Sequence, residues 1–170
     1  MIQLTIKVWT SIHHWSISVS YFQSRRSAIV ARKGAVATSQ PLAAVAGLQI
    51  IKDGGNAVDA AVATAAVLNV VEPMSTGIGG DMFALIWDKN ERKVMALNGS
   101  GRQAAAANVN DVQKAGFDSI PNNLEGSQFA VSVPGTVHGW ETALNTYGRM
   151  SLKEVLKPAI DYALKGYAVS

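Results

Sequence analysis

The clearest hydrophobic pattern lies between residues 41 and 71. Leu42, Val45, Leu48 and Ile51 recur at a helical period. Pro41 suits the first turn of that helix, Ser39 or Gln40 its cap, and Gly54-Gly55 its end. Just before it, residues 36–38 (Val-Ala-Thr) form a short β-prone run. Asn56 with Asp59 three positions on resembles a capping box and opens a second helix, to about Val71. This helix is apolar all round, so it is predicted to lie in a core rather than on a surface, and Pro73 stops it.

Next comes Thr76-Gly77-Ile78-Gly79-Gly80-Asp81, whose glycines imply a tight turn or a close approach of backbone to another group. Apolar residues 82–87 and 93–97 flank the polar loop Asp88-Lys89-Asn90-Glu91-Arg92 and predict a β-hairpin. The second run leads into Asn98-Gly99-Ser100-Gly101-Arg102. Residues 103–127 read as a short Ala-rich helix with loop, and residues 131–133 as a strand. Pro134-Gly135-Thr136 starts a helix ending near Tyr147-Gly148. Ser151 and Glu154 form another capping box, and Pro158 is predicted to kink the final helix before Gly166. Helices mixed with hairpin-like strands place the chain in the α/β or α+β class.

Composition narrows the picture. The chain has 170 residues, 48% hydrophobic and 16% charged, which excludes a disordered protein and suits one domain of ordinary size. The net charge of +3 is unevenly placed. Residues 1–33 hold Lys7, Arg25, Arg26, Arg32 and Lys33 and no acid, whereas the rest is slightly acidic. The arm lacks a dense Lys/Arg cluster, so no nucleic-acid partner is expected. With no Cys, disulfides, Cys-ligated zinc and thiol catalysis are excluded. No apolar block is long enough for a membrane span, since residues 57–71 are too short and contain Asp59. No secretory signal is visible, which favours a cytoplasmic location.

Generic motifs yield little. A dinucleotide fingerprint starting at Gly77 would need glycine at Met82, and no phosphate loop occurs. Ser100 lies between glycines, but a nucleophile elbow would need glycine where Asn98 and Arg102 stand. His13 and His14 are adjacent and His138 is alone, so neither metal nor cofactor is expected. Arg102 stands out in a sequence short of charge. A guanidinium following Gly-Ser-Gly at a predicted strand end can grip a carboxylate bidentately, or it can be a solvated turn residue.

Arg26-Ser27, residues 36–43 (Val-Ala-Thr-Ser-Gln-Pro-Leu-Ala) and Gly54-Gly55-Asn56-Ala57-Val58-Asp59-Ala60-Ala61 resemble the opening of the γ-glutamyltransferase (γ-glutamyltranspeptidase, glutathione hydrolase) family. Glu72-Pro73-Met74 with Gly77-Ile78-Gly79-Gly80, then Asn98-Gly99-Ser100-Gly101-Arg102, Val133-Pro134-Gly135-Thr136-Val137, and Tyr147-Gly148 followed by Pro158-Ala159, continue in family order. The likeness runs over residues 25–170, read as the N-terminal portion of the large subunit. Residues 1–24 match nothing in the family and form a basic extension or a mis-assigned start.

The resemblance implies an N-terminal nucleophile hydrolase fold, an αββα sandwich that this chain would fill only in part. It implies a precursor that cuts itself into large and small subunits, the new N-terminal Thr being the nucleophile that hydrolyses or transfers the γ-glutamyl group of glutathione and other γ-glutamyl compounds. The family position matching Arg102 binds the α-carboxylate of that group. The Gly-Ser-Gly-Arg branch also contains acylase-like members. No Thr here, Thr38, Thr64, Thr76 and Thr136 included, sits in the family's cleavage context. No catalytic residue is therefore expected in this chain, and the small subunit or C-terminal remainder becomes its expected partner. The alternative is a non-catalytic relative that binds or complements another protein.

Overall fold

The computed structural model describes residues 27–120 and 127–169. The chain divides into two units, Met1–Val30 and Ala31–Ser170. Of the first, residues 27–30 are described, and they are exposed and outside regular structure; the basic arm 1–24 lies outside the described residues. The second unit holds α1 (Pro41–Lys52), α2 (Ala57–Val71), the strands β1 (Met82–Asp88) and β2 (Lys93–Gly99), then α3 (Val109–Lys114), α4 (Ser127–Ala130), α5 (Thr136–Tyr147) and α6 (Leu152–Lys165). Among the described residues, no helix is long and apolar enough to cross a membrane.

Gln40 caps α1, its side-chain oxygen accepting from the Leu42 and Ala43 amides. The neighbouring Ser39 hydroxyl donates instead to Glu72, 2.5 Å away. The periodic stripe that signals α1 overlaps only partly with the face it buries, Leu42 and Ile51 packing at the edge of the core. Ala43, Ala46, Gly47 and Ile50 face the core, whereas Val45 and Leu48 are exposed. The reason is the close approach of α1 to α2. A Cβ on Gly47 would collide with the Thr64 hydroxyl and come within 3.2 Å of the Ala60 carbonyl. Only small residues fit that seam.

α2 is the central helix, as its all-round apolarity predicts. Ala60, Val62, Ala63, Ala66, Val67 and Val71 are buried, with α1 on one side and α6 on another. Its capping box forms as expected, Asn56 accepting from the Val58 and Asp59 amides while Asp59 accepts from the Asn56 amide. These two residues also reach across the molecule. Asp59, fully buried, accepts from the amides of Arg149 and Met150, and the Asn56 side chain donates to the Tyr147 carbonyl at 2.6 Å. The corner between α5 and α6 is thereby fastened to the start of α2. The Ser151–Glu154 box opens α6, which buries Val155 and Ala159 and continues past Pro158 to Lys165.

β1 and β2 pair antiparallel from Met82↔Gly99 to Asp88↔Lys93, the hairpin that the alternation predicts. One face packs against α5. The other shows Phe83, Leu85, Trp87 and Val94 largely exposed. The class is thus α+β. Of the expected sandwich, the described residues hold a helical layer and one two-stranded sheet.

Three local expectations are corrected. Residues 36–38 join no strand. Residues 131–133 contribute only an isolated bridge, Gln103↔Ser132. The alanines at 104–107 form an exposed turn, the Ala107 amide donating to the Ala104 carbonyl, and the helix starts only after Asn108 caps it. Helix propensity without a face to bury did not suffice there.

Candidate functional site

Arg102 follows β2 by three residues, and the intervening chain explains how it is held. Asn98 accepts from the Ser100 amide at 3.0 Å, closing a small turn. Gly101 then adopts φ +79°, a left-handed conformation natural to glycine. The turn delivers Arg102 beside residues 132–133. There its carbonyl accepts from the Val133 amide at 2.8 Å, and Gln103 bridges Ser132. The Ser132 hydroxyl donates to the Ser100 carbonyl at 3.3 Å.

This base is itself anchored. The Gly135 and Thr136 amides both donate to the Gly80 carbonyl at 3.1 Å, and the Thr136 hydroxyl donates to the Asp81 carbonyl at 3.1 Å. The glycine cluster at 77–80 is therefore a structural turn, closed by Gly80 donating to Gly77, that docks the start of α5. Gly99, Gly101 and Gly135 meet backbone to backbone, with no room for side chains between them.

The Arg102 side chain is exposed, and no acid among the described residues forms an ion pair with it. A guanidinium on a fixed backbone, with no ion-pair partner among the described residues, can present its planar fork to a carboxylate. A cavity of about 380 Å³ lies between Asn69, Thr76, Asp81, Phe83, Thr136 and Trp140, and Arg102 does not line it.

Five of the threonines have engaged hydroxyls. Thr64 donates to the Ala60 carbonyl, Thr76 to the Asn69 side chain and Thr136 to the Asp81 carbonyl. Thr142 and Thr146 back-bond to their own helix. None of these hydroxyls donates to a base that could activate it. His138 is exposed on α5.

Ser132, Gly135 and Thr136 escaped attention as neighbours of Arg102. The Val-Pro-Gly-Thr run announces a helix start, but nothing local reveals that it meets residues 99–102.

Comparison with known proteins adds a further line of observation. The sequence profile described as gamma-glutamyltranspeptidase matches residues 43–170. The chain is 46% identical, over 142 residues, to the glutathione hydrolase-like YwrD proenzyme of Bacillus subtilis (strain 168), covering 84% of this chain and 26% of that protein. The crystal structure of Helicobacter pylori gamma-glutamyltranspeptidase matches with TM-score 0.70 and 35% identity over 85% of this chain and 41% of that one. Cephalosporin acylase from Bacillus halodurans matches equally, with TM-score 0.70 and 42% identity, over 88% of this chain and 28% of that one. The chain spans about a quarter of the length of the curated relatives it matches.

Proposed function

The chain belongs to the gamma-glutamyltranspeptidase family, and from that premise we propose that it supplies the carboxylate-gripping portion of an enzyme that hydrolyses or transfers γ-glutamyl groups, those of glutathione among them. Residues 25–170 are assigned to the opening of the large subunit, and residues 1–24 stand outside it. The observation that carries this reading is the exposed Arg102 fork on a backbone pinned by residues 132–136. In this role Arg102 holds the α-carboxylate of the γ-glutamyl group, leaving the γ-amide free to meet a nucleophile. The scissile amide is several bonds from that carboxylate, so Arg102 binds and orients and does no bond chemistry.

The nucleophile and the groups that stabilise the tetrahedral oxyanion come from the partner part, the sequence that relatives carry beyond the span matched here. The engaged threonine hydroxyls fit this division. Acyl transfer needs an activated nucleophile and oxyanion donors together.

The test is complementation. The 170-residue chain alone is expected to leave γ-glutamyl p-nitroanilide unhydrolysed and to leave itself uncut. Joined to the remainder of a glutathione hydrolase, as one precursor, it is expected to process and to release p-nitroaniline. Turnover by the isolated chain, surviving removal of host enzyme, would overturn the division of roles. A well-formed joined protein that processes yet ignores γ-glutamyl substrates would overturn the activity and favour the non-catalytic, binding role.

A further inference from the structure

The backbone around Arg102 is set by residues 132–135, and we infer that Ser132 and Gly135 are positioning residues, which fix where the Arg102 guanidinium meets the carboxylate. The inference rests on the reading of Arg102 given above.

A hairpin end is ordinarily free to flex. Here residues 99–101 lie against residues 133–135 with glycine on both sides. A Cβ on Gly135 would collide with the Gly99 carbonyl and lie 2.5 Å from the Gly101 nitrogen. A Cβ on Gly101 would collide with the Val133 carbonyl and lie 3.2 Å from the Gly135 nitrogen. The contact leaves no slack, because Gly135 is also tied to the Gly80 carbonyl through its own amide. Arg102 is thus referenced to the start of α5 rather than to β2 alone.

Ser132 completes the arrangement from the other side. Its hydroxyl donates to the Ser100 carbonyl, its neighbour Val133 donates to the Arg102 carbonyl, and Ser132 bridges Gln103. Residues 100, 102 and 103 are therefore all held by residues 132 and 133. A bidentate grip tolerates little displacement, and a backbone shift of about 1 Å at the base of a long side chain is enough to spoil it. A methyl on Gly135 demands a shift of that order in residues 99–101.

The rest of α5 is secured independently. Trp140, Ala143 and Leu144 are buried, and Tyr147 is held by Asn56. A disturbance at Gly135 should therefore act locally on Arg102.

The experiment uses the joined, processed enzyme and two anilides. γ-Glutamyl p-nitroanilide carries the α-carboxylate; 4-aminobutanoyl p-nitroanilide has the same chain without it. The ratio of their kcat/KM values reads the carboxylate grip and is blind to a general loss of folded enzyme. Arg102→Ala sets the floor. Gly135→Ala is expected to lower the ratio at least tenfold, through KM for the γ-glutamyl substrate, and the gentler Ser132→Ala about threefold, with Ser132→Thr restoring it. A wild-type ratio in Ser132→Ala, or in a Gly135→Ala that processes, overturns the inference while a lowered ratio in Arg102→Ala keeps the underlying reading. A wild-type ratio in Arg102→Ala overturns both.

Discussion

Asp59 offers the sharpest test of how this fold is held. Its carboxylate is fully buried and receives the Asn56 amide at 2.7 Å, the Arg149 amide at 3.0 and 3.1 Å through its two oxygens, and the Met150 amide at 3.2 Å. Asp59→Ala removes the acceptor and leaves three donors in a crowded corner, where Gly148 also packs against the carboxylate. A hydrogen bond to a charged partner contributes about 1.5–3 kcal/mol, and water entering the corner recovers part of the loss, so the net cost should be about 3–5 kcal/mol. Asp59→Asn keeps the shape but turns an NH2 toward one donor, and should cost roughly half as much. A unit of this size has about 7–20 kcal/mol to lose, so both variants still fold. In urea, the alanine midpoint should fall by about 2 M with little change in slope. Hydrogen exchange should place the loosening at residues 147–151 before α1. An Asp59→Ala midpoint within about 0.5 M of the parent, or protection unchanged at Arg149 and Met150, would refute the reasoning.

Gly47→Ala should lower the urea midpoint by the equivalent of about 1–3 kcal/mol, because its methyl meets Thr64 and the Ala60 carbonyl in the α1–α2 seam, whereas Val45→Ala on the exposed face of α1 should change it little. The Ser151 hydroxyl, then its amide, holds the Glu154 carboxyl below its ordinary range. A lowered folded-state value means stability present at neutral pH and lost as pH falls through it, so Glu154→Gln should flatten the acid limb of stability below about pH 4.5 while lowering the neutral value. Leu85→Lys, on the bare face of the hairpin, should reduce binding of a hydrophobic dye and self-association of the isolated chain, read by fluorescence and light scattering.

Much of this architecture was legible because its signals are local. Asn56–Asp59 and Ser151–Glu154 announce helix starts by chemistry that acts within one turn, and both boxes form. The hairpin follows from alternation around a polar loop. What escaped was decided by distant partners. Nothing around Asp59 says that it will also hold Arg149 and Met150, some ninety residues on. The α1 stripe of Leu42, Val45, Leu48 and Ile51 marks a helix correctly, yet the seam with α2 selects Ala43, Ala46 and Gly47 because they are small. The alanines at 104–107 suit a helix by composition, but all four are exposed and bury no face. At the site, Arg102 was visible as an isolated cation after glycines. Its setting against Ser132 and Gly135 is purely tertiary.

The central claim, that Arg102 grips a γ-glutamyl carboxylate, is tested most directly by kcat/KM for γ-glutamyl p-nitroanilide in the joined enzyme bearing Arg102, Arg102→Lys or Arg102→Ala, with processing followed beside it. A charge-assisted bidentate contact contributes about 1.5–3 kcal/mol, or roughly 10–150-fold. Lysine keeps the charge but loses the planar fork, so Arg102→Lys should cost nearly as much as Arg102→Ala. Much of the loss should appear in KM, and self-cleavage should proceed normally, since it uses no free γ-glutamyl substrate. Normal processing with parental kcat/KM in Arg102→Ala would contradict the claim and leave Arg102 a solvated turn residue.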